Sequence, residues 1–234
     1  MQRFRLEDLG RPSALYVRPS VSILGAEFGR EELRHLAGAC LALTLIFAAS
    51  LAGGISTMAA GAFPALFALF LPLALLAAVP SFLLAQLAQK RVARAQGCTT
   101  EFRLMGQFLL ISVLFAFLFR FVFAAPGVTR RFGPITRQGA LRMASAVPLA
   151  FIAVAGAAIM AMAALDPPQG SYLWLLIHTA ASVNAIMAAF ALLPAPGLPG
   201  ADIWRGSKAF MVALILATAA LFVALAMLTG APVI

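Results

Sequence analysis

Charge is scarce in this sequence. Of its 234 residues only 11% are Asp, Glu, Lys or Arg, and none lies between Leu36 and Gln89. Water-soluble domains are about 25% charged and about 45–50% apolar, so a chain that is 63% hydrophobic falls outside that class. One bilayer crossing needs roughly 20 apolar residues. The uncharged stretch therefore holds at least two crossings and the turn between them. Cysteine is scarce too: Cys40 and Cys98 have no CxxC partner, which predicts neither a disulfide nor a thiolate metal site. Only two histidines occur, His35 and His178, and the few acidic residues fall mostly in loops, which leaves an ion pump or proton relay poorly supported. There is no phosphate-binding loop, no carboxylate pair on one helix and no Ser-His-Asp set.

What the chain does have is an excess of basic residues, for a formal charge of +9. In a soluble protein this points to nucleic acid. Beside membrane helices, Lys and Arg mark the cytoplasmic side, and no nucleic-acid partner is expected. Anionic lipids at the basic loops are the expected contacts. The sequence predicts an all-α polytopic membrane protein, with helices near Leu36–Ala52, Ala65–Lys90, Met143–Leu165, Tyr172–Leu193 and Ala209–Thr229. Pro80 predicts a kink, and Asp166 to Gly170 (DPPQG) predicts a turn. The segment 1–35 carries mixed charge and no apolar signal-peptide core. It reads as a cytoplasmic segment lying on the membrane surface, ahead of a membrane domain over 36–234 whose first helix serves as a signal anchor.

The run Leu104–Phe123 decides the topology. Basic residues cluster before Leu36, at Lys90–Arg103, at Arg130–Arg142 and at Arg205–Lys208, while Gly53–Phe63 and Asp166–Ser171 contain none. If Leu104–Phe123 crosses the membrane, the Arg130–Arg142 cluster lies outside. If the run dips in and returns, every basic loop lies inside. The second arrangement is preferred: five spanning helices and one re-entrant segment in a prokaryotic cytoplasmic membrane, with the N-terminus inside and the C-terminus outside. Irregular backbone at membrane depth must be buried in protein or line a cavity, so a groove between helices is expected.

Five blocks in order carry a resemblance: Phe28–Leu36 (FGREELRHL), Phe82–Arg103 (FLLAQLAQKRVARAQGCTTEFR), Phe121–Val128 (FVFAAPGV), Gly133–Gly139 (GPITRQG) and Val183–Gly200 (VNAIMAAFALLPAPGLPG). Together they resemble the short prokaryotic site-2 proteases, which are intramembrane zinc metalloproteases. That family holds zinc with the two histidines of a His-Glu-x-x-His helix and with a later aspartate. Residues four apart share a helix face, and the glutamate activates the metal-bound water. The matching positions here are Ala85, Gln86 and Gln89 for the helix, Pro199 for the aspartate and Ala191 for a nearby asparagine. A methyl group cannot ligate and an amide cannot take up a proton. The resemblance thus implies a pseudoprotease with no metal, no cofactor and no catalytic residue. Pro194, Pro196, Leu198 and Gly200 keep the bend after the helix, and Asn184 matches a family asparagine. A further block survives only as Ala146 and Pro148, with Phe151 in place of another asparagine.

Retained scaffold without ligands suggests an accessory or assembly subunit that binds an integral membrane partner. Gln86, Gln89, Arg120 and Asn184 are the groove or partner candidates. Gln86 and Gln89 also read as interhelical hydrogen-bonding groups, and Arg120 reads as a snorkelling charge or one half of an ion pair. Two alternatives stand beside this reading: a lipid or small-molecule binder using the former cavity, and a residual zinc protease with a rebuilt site. His178 lies too far from the glutamines to join them, while His35, with Glu31 one turn earlier, offers a lesser metal candidate.

Overall fold

A computed structural model describes residues 20–23 and 25–230. The membrane-surface placement expected for the first residues lies outside that range. The elements are β1 (Ser20–Ile23), β2 (Ala26–Gly29), α1 (Arg30–Leu51), α2 (Gly54–Ala59), α3 (Phe63–Ala95), β3 (Thr99–Leu104), α4 (Gly106–Phe119), β4 (Gly127–Phe132), α5 (Arg137–Leu165), α6 (Tyr172–Ala191), α7 (Pro199–Gly206) and α8 (Lys208–Thr229). Five of the helices, α1, α3, α5, α6 and α8, are long and apolar enough to cross a membrane. The chain is an integral membrane protein by this criterion.

Local chemistry sets the helix ends. The Thr136, Ser171 and Ser207 hydroxyls accept from the backbone N–H groups of Gly139, Trp174 and Phe210, capping α5, α6 and α8. Glu31 and Glu32 in the first turn of α1 complement its dipole. The helix starts at Arg30 rather than Leu36, because Glu32 finds a buried partner there, so the boundary drawn at residue 35 passes through α1. In the same way α5 begins at Arg137 rather than Met143. Helix α3 runs unbroken past Pro72 and Pro80 and reaches Ala95, five residues beyond the expected end.

The interior is built from small residues. Ala39, Ala48, Ala74, Ala78, Ala155, Ala181 and Ala188 have no exposed surface, which lets the helix backbones approach closely. Helix α5 packs on α3, α6, α7 and α8, while α3 also packs on α1 and α6.

The helical expectation is met with two antiparallel hairpins added. One pairs β1 with β2, and the other pairs β3 with β4 in the register Thr99↔Phe132 to Leu104↔Gly127. The second hairpin brings together the two ends of the Leu104–Phe123 run. Helix α4 has 14 residues, a rise of ~21 Å. It ends at Arg120, and the chain returns to β4 without regular secondary structure. Met105 N–H then donates to Pro126 O at 3.1 Å. The run leaves and comes back on one side. Gly127 permits the closure: a Cβ there would lie 2.2 Å from Arg103 O.

Contacts gather most of the basic residues at one end of the bundle. Lys90 pairs with Glu32 and donates to Thr100 O, Arg131 meets Asp202, and Arg137 donates to Arg205 O. The opposite end carries α2, Asp166 and the end of α8. Arg120 O accepts from Ser50 Oγ, in the last turn of α1, at 2.7 Å.

Candidate functional site

Helices α3, α5, α6 and α7 and strand β4 meet near the basic end around a cavity of about 220 Å³. The last third of α3 supplies Gln86 and Gln89. These are one turn apart and therefore share a face. Strand β4 supplies Thr129 and Arg131. The end of α6 and the start of α7 supply Ala191 and Pro199. Phe82, Val147, Phe151 and Met187 complete the apolar wall, and Arg131, Asp202 and Arg205 add charge.

A tight reversal makes this meeting possible. After α6, the chain turns through the prolines and starts α7 at Pro199, which suits the first helical position because it brings no N–H. A Cβ on Gly200 would lie 2.4 Å from the carbonyl oxygens of both Leu192 and Leu193. Only glycine allows α7 to fold back so closely on the end of α6, which sets Pro199 beside Ala191.

The two glutamines differ in state. Gln89 is 3% exposed, and its Oε1 accepts from Thr129 Oγ1 at 3.0 Å. Its partner is thus a strand residue rather than a neighbouring helix. Gln86 is 8% exposed and faces the cavity. Among the described residues, nothing hydrogen-bonds to its amide. Buried polar groups are usually paired, so Gln86 presents a donor and an acceptor to whatever enters.

Four of the five positions that carry the expected loss of ligands, Gln86, Gln89, Ala191 and Pro199, line this one cavity. Ala85 does not. It has no exposed surface and packs in the main core. Asn184 is also fully buried and away from the cavity, and its Nδ2 donates to Ala77 O at 3.1 Å and to Ala180 O at 2.9 Å. It ties α6 to α3. Arg120 lies in a separate groove. His178 stacks on Trp174 with ring centroids 4.7 Å apart, and Glu31 is engaged by Arg103 at 3.2 Å.

Thr129, Arg131, Asp202 and Arg205 were not expected at the site. Arg131 reaches Asp202 at 3.4 Å, a long contact between partly exposed groups, and such pairs contribute little. Arg137 Nε donates to Arg205 O at 2.8 Å and fixes α7 on the start of α5. Asp202 is the one carboxylate among the described lining residues. No three His, Cys, Asp or Glu among the described residues gather closely enough to hold a metal. The arrangement offers amide and guanidinium hydrogen bonds and one carboxylate inside an apolar wall.

No family model, curated protein or solved structure matches the chain.

Proposed function

We propose that this protein is a catalytically inactive relative of the site-2 proteases, which uses the former active-site cavity to bind a segment of an integral membrane partner as an accessory or assembly subunit. One observation carries the reading. Four positions that differ from the protease pattern surround a single cavity, and that cavity is still open, with the Gln86 amide unpaired inside it. A protease of this type needs a ligand set and a proton acceptor beside the metal-bound water. Ala85 and Pro199 have no ligating group. The Gln86 amide takes up no proton, and the Gln89 oxygen is engaged by Thr129.

Size favours a partner over a free ligand. Ordinary small-molecule pockets measure roughly 300–1,000 Å³, whereas this one is about 220 Å³. It suits one or two side chains and a peptide group of a larger protein. In this proposal the basic end faces the cytoplasm of a prokaryotic cell, following the positive-inside bias.

Purification from native membranes in mild detergent, with the partners identified and counted, tests the proposal. A fixed stoichiometric membrane partner that is lost in Gln86→Trp, a change that fills the cavity, is expected. A solitary chain, or a partner retained in full by Gln86→Trp, overturns it.

A further inference from the structure

A second site lies at the tip of the re-entrant segment. Arg120 ends α4 with φ 57°, in the left-handed region. Such positions favour glycine, and among the described residues only Arg120 and Asp166 adopt positive φ without being glycine. The backbone is held there from two directions. Ser50 Oγ donates to Arg120 O at 2.7 Å, and Phe121 N–H donates to Phe115 O at 3.2 Å. A residue kept in a strained conformation that glycine would relieve is a candidate for a role of its side chain.

That side chain is exposed and unpaired. Among the described residues, no carboxylate lies within ion-pair distance of the guanidinium. Of the described acids, Glu27, Glu31, Glu32, Glu101 and Asp202 sit at the basic end, and Asp166 ends α5. Among the described residues, Arg120 therefore has no anionic partner.

The surroundings of Arg120 indicate which anion. It borders a groove of about 320 Å³ whose other walls are Phe121, Val122, Ile186, Ala189, Phe190 and Phe222. Every one of these is apolar. Arg120 is pinned to Ser50 near the end of α1 remote from the basic residues, and its neighbour Phe121 packs on Phe190 of α6 with ring centroids 5.7 Å apart. A cation at one end and hydrocarbon along the rest match the order of groups in a phospholipid.

We propose that this groove binds one phospholipid from the leaflet opposite the basic end, with its phosphate on Arg120 and one acyl chain along Val122, Ala189 and Phe222. Guanidinium–phosphate pairing is charge-assisted and bidentate, and in an apolar setting it is screened little by salt. The lipid supports the tip of the re-entrant segment, which otherwise rests on α1 through Ser50.

Native mass spectrometry of the full chain, extracted in mild detergent and then titrated with dioleoylphosphatidylglycerol or with dioleoylglycerol, tests this site. One retained phospholipid per chain is expected. Occupancy is expected to fall at least tenfold in Arg120→Gly, which removes the cation but relaxes the backbone and keeps the fold. It should fall equally in Ala189→Trp, which fills the groove and keeps Arg120. Arg120→Lys retains part of it, and dioleoylglycerol, which lacks the phosphate, does not compete. Unchanged occupancy in Arg120→Gly or Ala189→Trp, or full competition by dioleoylglycerol, overturns the proposal.

Discussion

The Glu32 carboxylate lies 2.8 Å from Lys90 Nζ, with the two side chains 2% and 10% exposed. Glu32 Oε1 also accepts from Phe102 N–H at 2.9 Å, and Lys90 donates to Thr100 O and Glu27 O. One buried pair thus ties α1 and α3 to both hairpins, beside the cavity-lining Gln89 and Phe102. Removing one partner of a buried pair leaves an uncompensated charge and costs about 3–5 kcal/mol. Glu32→Ala is expected to destabilise the detergent-solubilised protein by that amount in a denaturant titration. Glu32→Ala combined with Lys90→Met is expected to recover part of it.

The two glutamines separate stability from binding. Thr129→Val strips Gln89 Oε1 of its 3.0 Å partner and should cost about 1–3 kcal/mol, the cost of an unsatisfied buried group. Gln86 has no such bond to lose, so Gln86→Leu should leave the melting temperature unchanged or raised while weakening partner retention. Equal losses of stability in both variants would contradict the different states assigned to the two amides.

Gly200 is a mechanical requirement of the cavity. A methyl group at this position meets two backbone carbonyls at 2.4 Å, neither of which moves without shifting the end of α6. Gly200→Ala is expected to cost about 1–3 kcal/mol, as overpacking does. It should also displace Pro199 and Asp202 from the cavity wall, read as loss of the partner in pull-down.

Burial pushes the Cys98 thiol up from its usual range, with Arg131 and a backbone hydrogen bond pulling weakly the other way. The thiolate is the reactive form, so Cys98 should resist iodoacetamide at neutral pH in the folded protein and react on unfolding. The raised value also gives the sign of the pH effect. The folded state favours the neutral thiol, so this contribution is complete below the unfolded value of about 8.5 and is lost as pH rises toward the folded one. Rapid labelling of folded protein at pH 7 would contradict the burial.

Much of the architecture was legible because membrane physics leaves few options. Apolar runs of sufficient length gave the five long helices, and the basic residues gave the parity that makes Leu104–Phe123 return. Helical spacing put Gln86 and Gln89 on one face, and the returning segment put Pro199 at their end of the bundle. The hairpins were not legible. Strands β3 and β4 are six residues each and are separated by the whole of α4, so no turn chemistry between them announces the pairing. The starts of α1 and α5 were placed too late because their charged first turns looked like loop. Arg131, Asp202 and Arg205 were missed for a related reason: charge beside membrane helices is common, and only the fold-back at Gly200 brings these residues to the cavity. Arg120 was visible as a charge in an apolar run, but its left-handed backbone and separate groove were not.

The most direct test of the proposed partner binding at the Gln86 cavity is photocrosslinking in native membranes, with a photoreactive amino acid in place of Gln86. The account predicts one dominant crosslink to a single integral membrane protein, lost when Gly200→Ala is added. Crosslinks to lipid alone, or a scatter of weak crosslinks unaffected by Gly200→Ala, would contradict it.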